Sequence, residues 1–274
     1  MITKTTKLSQ INPNIKTDAF LREFIIENSK GIDEFRKRPA IVVCPGGGYA
    51  GVSDREALPI AFSFLGQDFS AFVLTYSVAP HKYPTQLLEV SAAIAYIREN
   101  AEAYHIDADK IIVIGFSAGG HLAASIGTLW NADVVTDTLK IKKGANKPNG
   151  LILSYPVITS GDAAHKGPFV NLIGEEAENK ELYDYLSLEK RVTADTMPTF
   201  LWHTANDGAV PVENSLLFAS ALQKHKVPFE LHIFPDGVHG LSLCNEITAC
   251  NENLINPHCE QWLGLAVKWI KANF

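Results

Sequence analysis

The chain has 274 residues, of which 46% are hydrophobic and 20% are charged, and its formal net charge is -6. An acidic balance argues against nucleic acid, an anionic membrane surface or a polyanionic substrate as partner, because each would need clustered positive charge. The length suits one α/β domain, and no linker, repeat or low-complexity tract divides it. Residues 1–274 are therefore predicted to form a single domain, with a homodimer among the possible oligomeric states.

The N-terminal segment and the cysteines bear on cellular location. Residues 1–7 lack the apolar core of a signal peptide, and no apolar run is long enough to cross a bilayer. We therefore expect a cytoplasmic protein whose four cysteines, at positions 44, 244, 250 and 259, remain thiols in a reducing compartment. These cysteines lack the paired spacing of zinc ligands, and neither a metal nor another cofactor is predicted.

Strand patterns and helix patterns alternate along the chain. Buried or alternating apolar runs predict strands at residues 19–27, 40–44, 70–76, 110–114, 150–155, 197–204 and 229–234. Helical patterns lie between and after them, at residues 56–65, 83–103, 121–130, 211–224 and 259–273. This alternation predicts an α/β fold with a mostly parallel central sheet and crossover helices on both faces. Ligands bind outside the carboxyl ends of such strands.

A glycine loop follows the second predicted strand. Residues 45–49 include three consecutive glycines, which let the backbone approach a ligand closely and turn its amides inward. We predict that the amides of Gly47 and Gly48 form part of an oxyanion hole. A phosphate-binding loop is the alternative, but no Lys-Ser or Lys-Thr pair follows and the spacing of a dinucleotide motif is missing. Glu56 has two open interpretations, as a residue that shapes the pocket or as the start of a solvated helix.

The fourth predicted strand runs into the sequence Gly115-Phe116-Ser117-Ala118-Gly119, and a helix of small residues follows. A sharp strand-to-helix turn strains its central residue and projects that side chain outward, and bulky neighbours would clash there. Ser117 is therefore the predicted nucleophile, at the positive end of the following helix. The amide of Ala118 completes the predicted oxyanion hole.

The last two predicted strands are followed by an acid and a base. Asp207 comes just after the sixth strand, and His239 lies in the loop after the seventh. We predict that His239 is the general base and that Asp207 orients it, in the order serine, aspartate, histidine that is typical of α/β-hydrolases. Asp236 is the rival acid, but it shares a short turn with His239 and would have to fold back to reach the ring. Two other histidines, His121 and His203, are predicted to have structural roles near the site.

On these motifs the chain resembles the small α/β-hydrolase esterases related to the hormone-sensitive-lipase group, particularly bacterial acetyl esterases and acetyl-xylan-esterase-like proteins. The resemblance covers residues 41–240 and rests on the Asp207 and His239 loops and on three further motifs, CPGGGY at 44–49, FVLTYSVAP at 72–80 and GFSAGGH at 115–121. Pro45 stands where those esterases have the first histidine of an HGGG-like loop. The resemblance implies an α/β-hydrolase fold and hydrolysis of short acyl esters, often on sugars, without a cofactor.

The expected activity is therefore that of a serine carboxylesterase on small-molecule or oligosaccharide esters, with acetyl groups on sugars or xylo-oligosaccharides as expected substrates. Three alternatives stay open: an arylformamidase-type amidase, a small serine peptidase and a non-catalytic binding protein with a hydrolase fold. Two segments, residues 157–193 and 241–257, break the alternation of strands and helices. They are predicted to form a partial cap or to line the pocket, with plain surface loops as the alternative.

Overall fold

The computed structural model describes residues 1–274, apart from the side chains of residues 176 and 177. Eight strands form one sheet: β1 (Ile2–Lys7), β2 (Phe20–Ile25), β3 (Arg38–Cys44), β4 (Ser70–Thr75), β5 (Ile106–Phe116), β6 (Gly150–Ser154), β7 (Thr199–Thr204) and β8 (Phe229–Phe234). Their order across the sheet is β1-β2-β4-β3-β5-β6-β7-β8. The β1–β2 and β2–β4 pairs are antiparallel, and all pairs from β4 to β8 are parallel.

Helices cover both faces of this sheet. They are α1 (Leu8–Ile11), α2 (Leu58–Leu65), α3 (Thr85–Glu99), α4 (Ala118–Leu129), α5 (Asp133–Leu139), α6 (Lys166–Ile173), α7 (Glu176–Tyr185), α8 (Glu213–Lys224), α9 (Pro257–Glu260) and α10 (Trp262–Asn273). The buried side chains of α3, α4 and α8 join one apolar cluster, and those of α2 and α10 join a second. No helix in the described part of the chain is long and apolar enough to cross a membrane.

The central strands carry apolar residues on both faces because helices cover both faces. In β3, Val42 belongs to the first cluster, whereas Ile41 and Val43 belong to the second, and all three side chains are fully buried. Branched aliphatic residues suit a parallel strand that is covered on each side. The predicted mostly parallel sheet with helices on both faces is confirmed.

Several predicted boundaries differ from the observed ones. The helix predicted at residues 83–103 runs only over α3, because the chain turns between Asn100 and β5. The helix predicted at residues 56–65 divides into a 3-10 turn, Asp54–Glu56, and α2. The helix predicted at residues 121–130 begins earlier, because α4 starts directly after Ser117.

The helix predicted at residues 259–273 divides into α9 and α10. Its start lies two residues earlier than predicted, at Pro257. The Asn256 side chain caps α9 by accepting hydrogen bonds from the amides of His258 and Cys259. A proline just after this cap is favourable, because the first amide of a helix has no intrahelical acceptor.

The sequence patterns missed β1, α1, α5 and the two helices of residues 157–193. β1 is a sheet edge rich in threonine and lysine, and most of its residues are exposed, so no apolar alternation marks it. Residues 157–193, predicted to be irregular, contain α6 and α7. Gly167 and Pro168 lie in the first turn of α6, where proline is tolerated although it weakens the helical pattern.

Aromatic side chains pack behind the carboxyl ends of β5, β6 and β7. The indole rings of Trp202 and Trp262 stack with centroids 5.2 Å apart, and Tyr155 lies edge-on to Trp202 at 5.0 Å. Trp202 Nε1 donates to Ser154 Oγ at 2.7 Å, so its one polar atom is satisfied in the core. This large, rigid cluster supports the loops that follow these strands.

Candidate active site

The strand-to-helix turn at Ser117 has a strained backbone. Ser117 has φ 52° and ψ -119°, a left-handed conformation that non-glycine residues seldom adopt. A Cβ on Gly115 would lie 2.1 Å from the carbonyl oxygen of Gly119, so only glycine fits as the turn closes on itself. The sharp turn is held by Ser117 N, which donates to Ser154 O at 3.0 Å, and by Ser117 O, which accepts from Val157 N at 3.0 Å.

The structure brings Ser117, His239 and Asp207 together. His239 Nε2 lies 2.8 Å from Ser117 Oγ, and His239 Nδ1 lies 2.7 Å from Asp207 Oδ2. A carboxylate accepts hydrogen bonds, so Nδ1 carries the proton and Nε2 can accept the proton of the serine hydroxyl. Ser117 is 8% exposed and the His239 side chain 22%, so the imidazole is the more accessible of the two groups.

Asp207 is a buried carboxylate with several hydrogen-bond donors. Besides His239, the amides of Ala209 and Val210 donate to Oδ1, each at 2.9 Å, and His203 Nε2 lies 3.4 Å from Oδ2. Burial alone would raise the pKa of Asp207, but the hydrogen bonds from His203 and His239 outweigh it and hold the pKa well below its usual value. Asp207 therefore stays ionised and able to orient an imidazole.

His203 contacts Asp207 from a fully buried position. Its Nε2 also lies 3.0 Å from the carbonyl oxygen of Val210, which can only accept, so Nε2 carries a proton. The other ring nitrogen, Nδ1, lies 2.8 Å from Ser215 Oγ. The role predicted for His203, structural and close to the site, fits these contacts.

Among the described residues, no hydrogen bond joins Asp236 to the imidazole of His239. Its side chain accepts from Asn206 Nδ2, and its backbone oxygen accepts from Asn256 Nδ2 at 2.9 Å. The amide of Gly237 donates to Asn206 Oδ1 at 2.9 Å, which joins the turn after β8 to the turn after β7. Asp236 thus holds the loop that carries His239, and Asp207 is the partner of the ring.

The glycine loop after β3 passes close to Ser117, since a Cβ on Gly46 would lie 3.1 Å from Ser117 Cβ. Gly47 has φ 126°, and a Cβ there would lie 2.2 Å from the carbonyl oxygen of Gly51, so the loop requires glycine. Gly46 N donates to a carboxylate, but no hydrogen bond recorded between described residues uses the amide of Gly47 or Gly48 as donor. Ala118 opens α4, and the first amides of a helix have no intrahelical acceptor.

Helix α6 of residues 157–193 lies against this glycine loop. Asn171 Nδ2 donates to the carbonyl oxygen of Gly48 at 2.9 Å, and the amide of Tyr83 donates to Leu172 O at 2.9 Å. Phe169 is buried, with its ring 5.3 Å from that of His121. The segment is therefore more than a plain surface loop, and a partial cap remains its predicted role.

His121 joins the glycine loop to the end of α7. Its Nε2 lies 3.0 Å from Leu186 O, a carbonyl that can only accept, so Nε2 donates and Nδ1 accepts from Tyr49 OH at 3.0 Å. Burial lowers the pKa of His121 to about 4, even though the bond to Leu186 opposes this shift. The imidazole is thus neutral at pH 7 and has a structural role, as predicted.

Sequence analysis did not single out Tyr155, which packs against the imidazole of His239. The two ring centroids lie 5.1 Å apart at an interplanar angle of 71°. Tyr155 OH accepts from the amide of Ser242 at 2.9 Å, so the start of residues 241–257 packs beside this ring. One signal could have found Tyr155, since it directly follows β6 at the same sheet edge as the other site loops.

Metal-ligating side chains do not cluster in the described residues, where no group of three or more histidine, cysteine, aspartate or glutamate side chains could hold an ion. The four cysteines are free thiols, and burial raises the pKa of Cys44 well above its usual value. The reactive side chains that the structure brings together here are those of Ser117, His239 and Asp207.

The BD-FAE family model matches residues 32–222. The chain is 41% identical to endo-1,4-beta-xylanase B of Butyrivibrio fibrisolvens over 77% of this chain and 33% of that protein. It is 29% identical to an acetylxylan esterase of Xylanibacter ruminicola over 88% of this chain and 47% of that protein. The chain therefore spans less than half the length of either relative.

Solved structures match along nearly the whole chain. The acetyl ester-xyloside bifunctional hydrolase of Caldicellulosiruptor lactoaceticus is 38% identical with a TM-score of 0.83, and the match covers 98% of this chain and 96% of that one. The carboxylesterase Cest-2923 of Lactobacillus plantarum is 26% identical with a TM-score of 0.86, covering 99% and 98%. The predicted α/β-hydrolase fold is confirmed by these likenesses.

The buried neutral His121 makes the folded state sensitive to acid. Its folded pKa of about 4 lies below the unfolded value of 6.5, so its contribution to stability is present above pH 6.5 and is lost as the pH falls toward 4. Between pH 7 and pH 5 we expect His121 to remove about 2 kcal/mol from the free energy of unfolding. Urea denaturation of wild type and His121→Gln at both pH values measures this. Equal losses in the two proteins would contradict the assignment.

Proposed function

The chain belongs to the BD-FAE family of α/β-hydrolases, and from this premise we propose that it is a serine carboxylesterase. Its proposed substrates are short acyl esters, in particular acetyl groups on sugars or xylo-oligosaccharides. One observation carries the proposal: the hydroxyl of Ser117 lies 2.8 Å from an imidazole whose other nitrogen lies 2.7 Å from an ionised carboxylate. This arrangement activates a serine for attack on a carbonyl carbon.

In the proposed acylation, Ser117 is the nucleophile and His239 the general base. His239 Nε2 takes the hydroxyl proton as Oγ attacks the ester carbonyl carbon, and the same proton then passes to the leaving alcohol. Asp207 holds the ring in the tautomer that this transfer requires and stabilises the imidazolium that forms. The pKa of Asp207, held low by its hydrogen bonds, supports that role because the carboxylate remains charged.

The negative charge of the tetrahedral intermediate needs donors on the opposite side of the carbonyl. We assign this oxyanion hole to the amides of Gly47, Gly48 and Ala118, which are free of recorded protein acceptors in the described chain. Amides held in place before the reaction stabilise developing charge without reorienting. Water then hydrolyses the acyl-enzyme, again with His239 as base. Every step uses groups of this chain and water, so the mechanism assigns no role to a cofactor.

Two lines of support favour a short acyl group. The names of the similar proteins include acetylxylan esterase and acetyl ester-xyloside hydrolase. Large apolar side chains of the segment 157–193 are buried in the first apolar cluster, namely those of Phe169, Leu172, Ile173 and Leu186. They do not form an exposed apolar lid. A lipase would instead need an apolar surface that covers a long acyl chain.

No observation favours the other candidate activities. The similar proteins named above are esterases or act on xylan, which supports ester hydrolysis over the arylformamidase and peptidase alternatives. A non-catalytic binding protein is disfavoured because the serine, histidine and aspartate are all present and in contact. A cytoplasmic location, a homodimer and a single domain stay predictions from the sequence.

Removal of the Ser117 hydroxyl tests the activity directly. Wild type is expected to release acetate from acetylated xylo-oligosaccharides and from p-nitrophenyl acetate, and Ser117→Ala to lower kcat by about 10⁶-fold. Ser125→Ala is the matched control, because it deletes a buried hydroxyl that bonds the same helix, at His121 O. The control should keep kcat within about twofold. Near-native turnover by Ser117→Ala would exclude Ser117 as the nucleophile.

A second comparison tests which aspartate orients the imidazole. Asp207→Asn is expected to lower kcat by about 10⁴-fold, because the amide favours the wrong tautomer of His239. Asp236→Asn should cost less than about tenfold, since Asp236 bonds Asn206 and not the ring. Matched steady-state kinetics measure both, with circular dichroism spectra as the check on folding. The opposite ranking would transfer the role to Asp236.

The preference for acyl length follows from the site proposed above. A pocket with room for a long chain would gain about 0.8 kcal/mol for each buried methylene, so kcat/KM would rise with length. We expect the reverse trend across p-nitrophenyl acetate, butyrate, octanoate and palmitate. A maximum at octanoate or beyond would refute the short-acyl proposal, and failure to release acetate from any sugar would leave a general esterase.

A further inference from the structure

A buried carboxylate lies directly behind the glycine loop. Glu56 is only 4% exposed, although it ends the short 3-10 turn that follows the loop. Its Oε2 accepts from the amide of Gly46 at 2.9 Å, and its Oε1 accepts from Tyr155 OH at 2.6 Å. Of the two interpretations open from the sequence, a solvated helix start is therefore wrong.

Tyr155 connects Glu56 to the imidazole of His239. Its side chain is buried, and its ring packs edge-on against His239 with centroids 5.1 Å apart. Burial, together with the negative charge of Glu56, raises the pKa of Tyr155 well above its usual value. The phenol therefore keeps its proton and donates it to Glu56, while its oxygen accepts from the amide of Ser242 at 2.9 Å.

The two partners of Glu56 restrict which side chain can stand at this position. Gly46 N and Tyr155 OH donate to different oxygens of Glu56, so this arrangement uses two acceptor oxygens. A carboxylate offers two, whereas the amide of glutamine offers one oxygen and one donor. Burying a carboxylate is unfavourable unless its hydrogen bonds are satisfied, and here both oxygens are bonded.

We propose that Glu56 is a positioning residue. Together with Tyr155, it keeps the glycine loop and the imidazole of His239 in their positions on either side of Ser117. This inference rests on the proposed function, because it assigns the loop to the oxyanion and His239 to proton transfer. Among the described residues no hydrogen bond joins Glu56 to Ser117, His239 or Asp207, so Glu56 acts through Gly46 and Tyr155. Its loss should therefore reduce the rate of the chemical step more than substrate binding.

The test compares Glu56→Gln and Tyr155→Phe with wild type. Glutamine can accept from Gly46 or from Tyr155 but not from both, and phenylalanine removes the hydroxyl while keeping the ring against His239. Loss of a hydrogen bond to a charged group corresponds to a fall in kcat of about 10- to 100-fold. We expect that fall in kcat in each single variant, with KM changed less than twofold. The double variant should lose no more kcat than the more impaired single variant.

Glu23→Gln is the matched control. Glu23 is also a fully buried carboxylate, and it accepts from Thr6 Oγ1 at 2.5 Å. It lies on β2, which β4 and β3 separate from β5, the strand that ends just before Ser117. We expect Glu23→Gln to lower Tm while kcat stays within twofold of wild type. An equal loss of kcat in Glu23→Gln would show that any buried carboxylate has this effect and would overturn the proposal.

A fluorophosphonate probe separates this inference from the proposed function. The probe reacts with an activated serine whatever the natural substrate is, so its second-order rate constant reports the positioning of the loop and the base. If wild type labels at Ser117 but hydrolyses no ester, the esterase proposal fails and the labelling rates still test Glu56. A fall of about 10- to 100-fold in labelling supports the inference. Folded Glu56→Gln and Tyr155→Phe that label within twofold of wild type would overturn it. If Glu56→Gln does not fold, Tyr155→Phe decides alone.

Discussion

The left-handed backbone of Ser117 is the constraint on which the site depends. A serine at φ 52° is strained, and it persists because the neighbouring strand and loop bond its amide and its carbonyl. The strain directs Oγ to one side of the sheet edge, where the loops after β3, β7 and β8 must deliver their groups. Parallel strands make this possible, since all their carboxyl ends meet at that edge.

Two buried carboxylates lie behind this site, and each is stabilised by donors rather than by a cationic side chain of lysine or arginine. Asp207 accepts from two backbone amides and has two histidines beside it, which keeps it ionised although burial opposes charge. Glu56 accepts from one amide and one phenol. Because hydrogen bonds hold both carboxyl groups, neither side chain can shift without leaving buried donors unpaired.

The sequence predicted the features that depend on neighbouring residues in the chain. It did not predict those that depend on packing between distant segments. The turn at Ser117 could be predicted, since its glycines, its preceding strand and its following helix lie within a short stretch of chain. Asp207 and His239 could be predicted because each follows a clear strand. Asp236 and Glu56 both stand beside a motif, yet only the fold shows that Asp236 bonds Asn206 and that Glu56 is buried. Their different surroundings come from segments far away in sequence.

The glycine loop explains why its amides suit the role proposed for them. Its carbonyl groups are already bonded: Pro45 O accepts from Tyr76 OH at 2.6 Å, Gly46 O from Ser53 N at 2.9 Å, Gly47 O from Ala50 N at 3.0 Å and Gly48 O from Asn171 Nδ2 at 2.9 Å. Gly46 N is held by Glu56, whereas the amides of Gly47 and Gly48 donate to no acceptor among the described residues. Gly46 O and Gly47 O belong to the same peptide groups as these two amides, and their hydrogen bonds resist rotation of those groups, so the amides are oriented before negative charge develops.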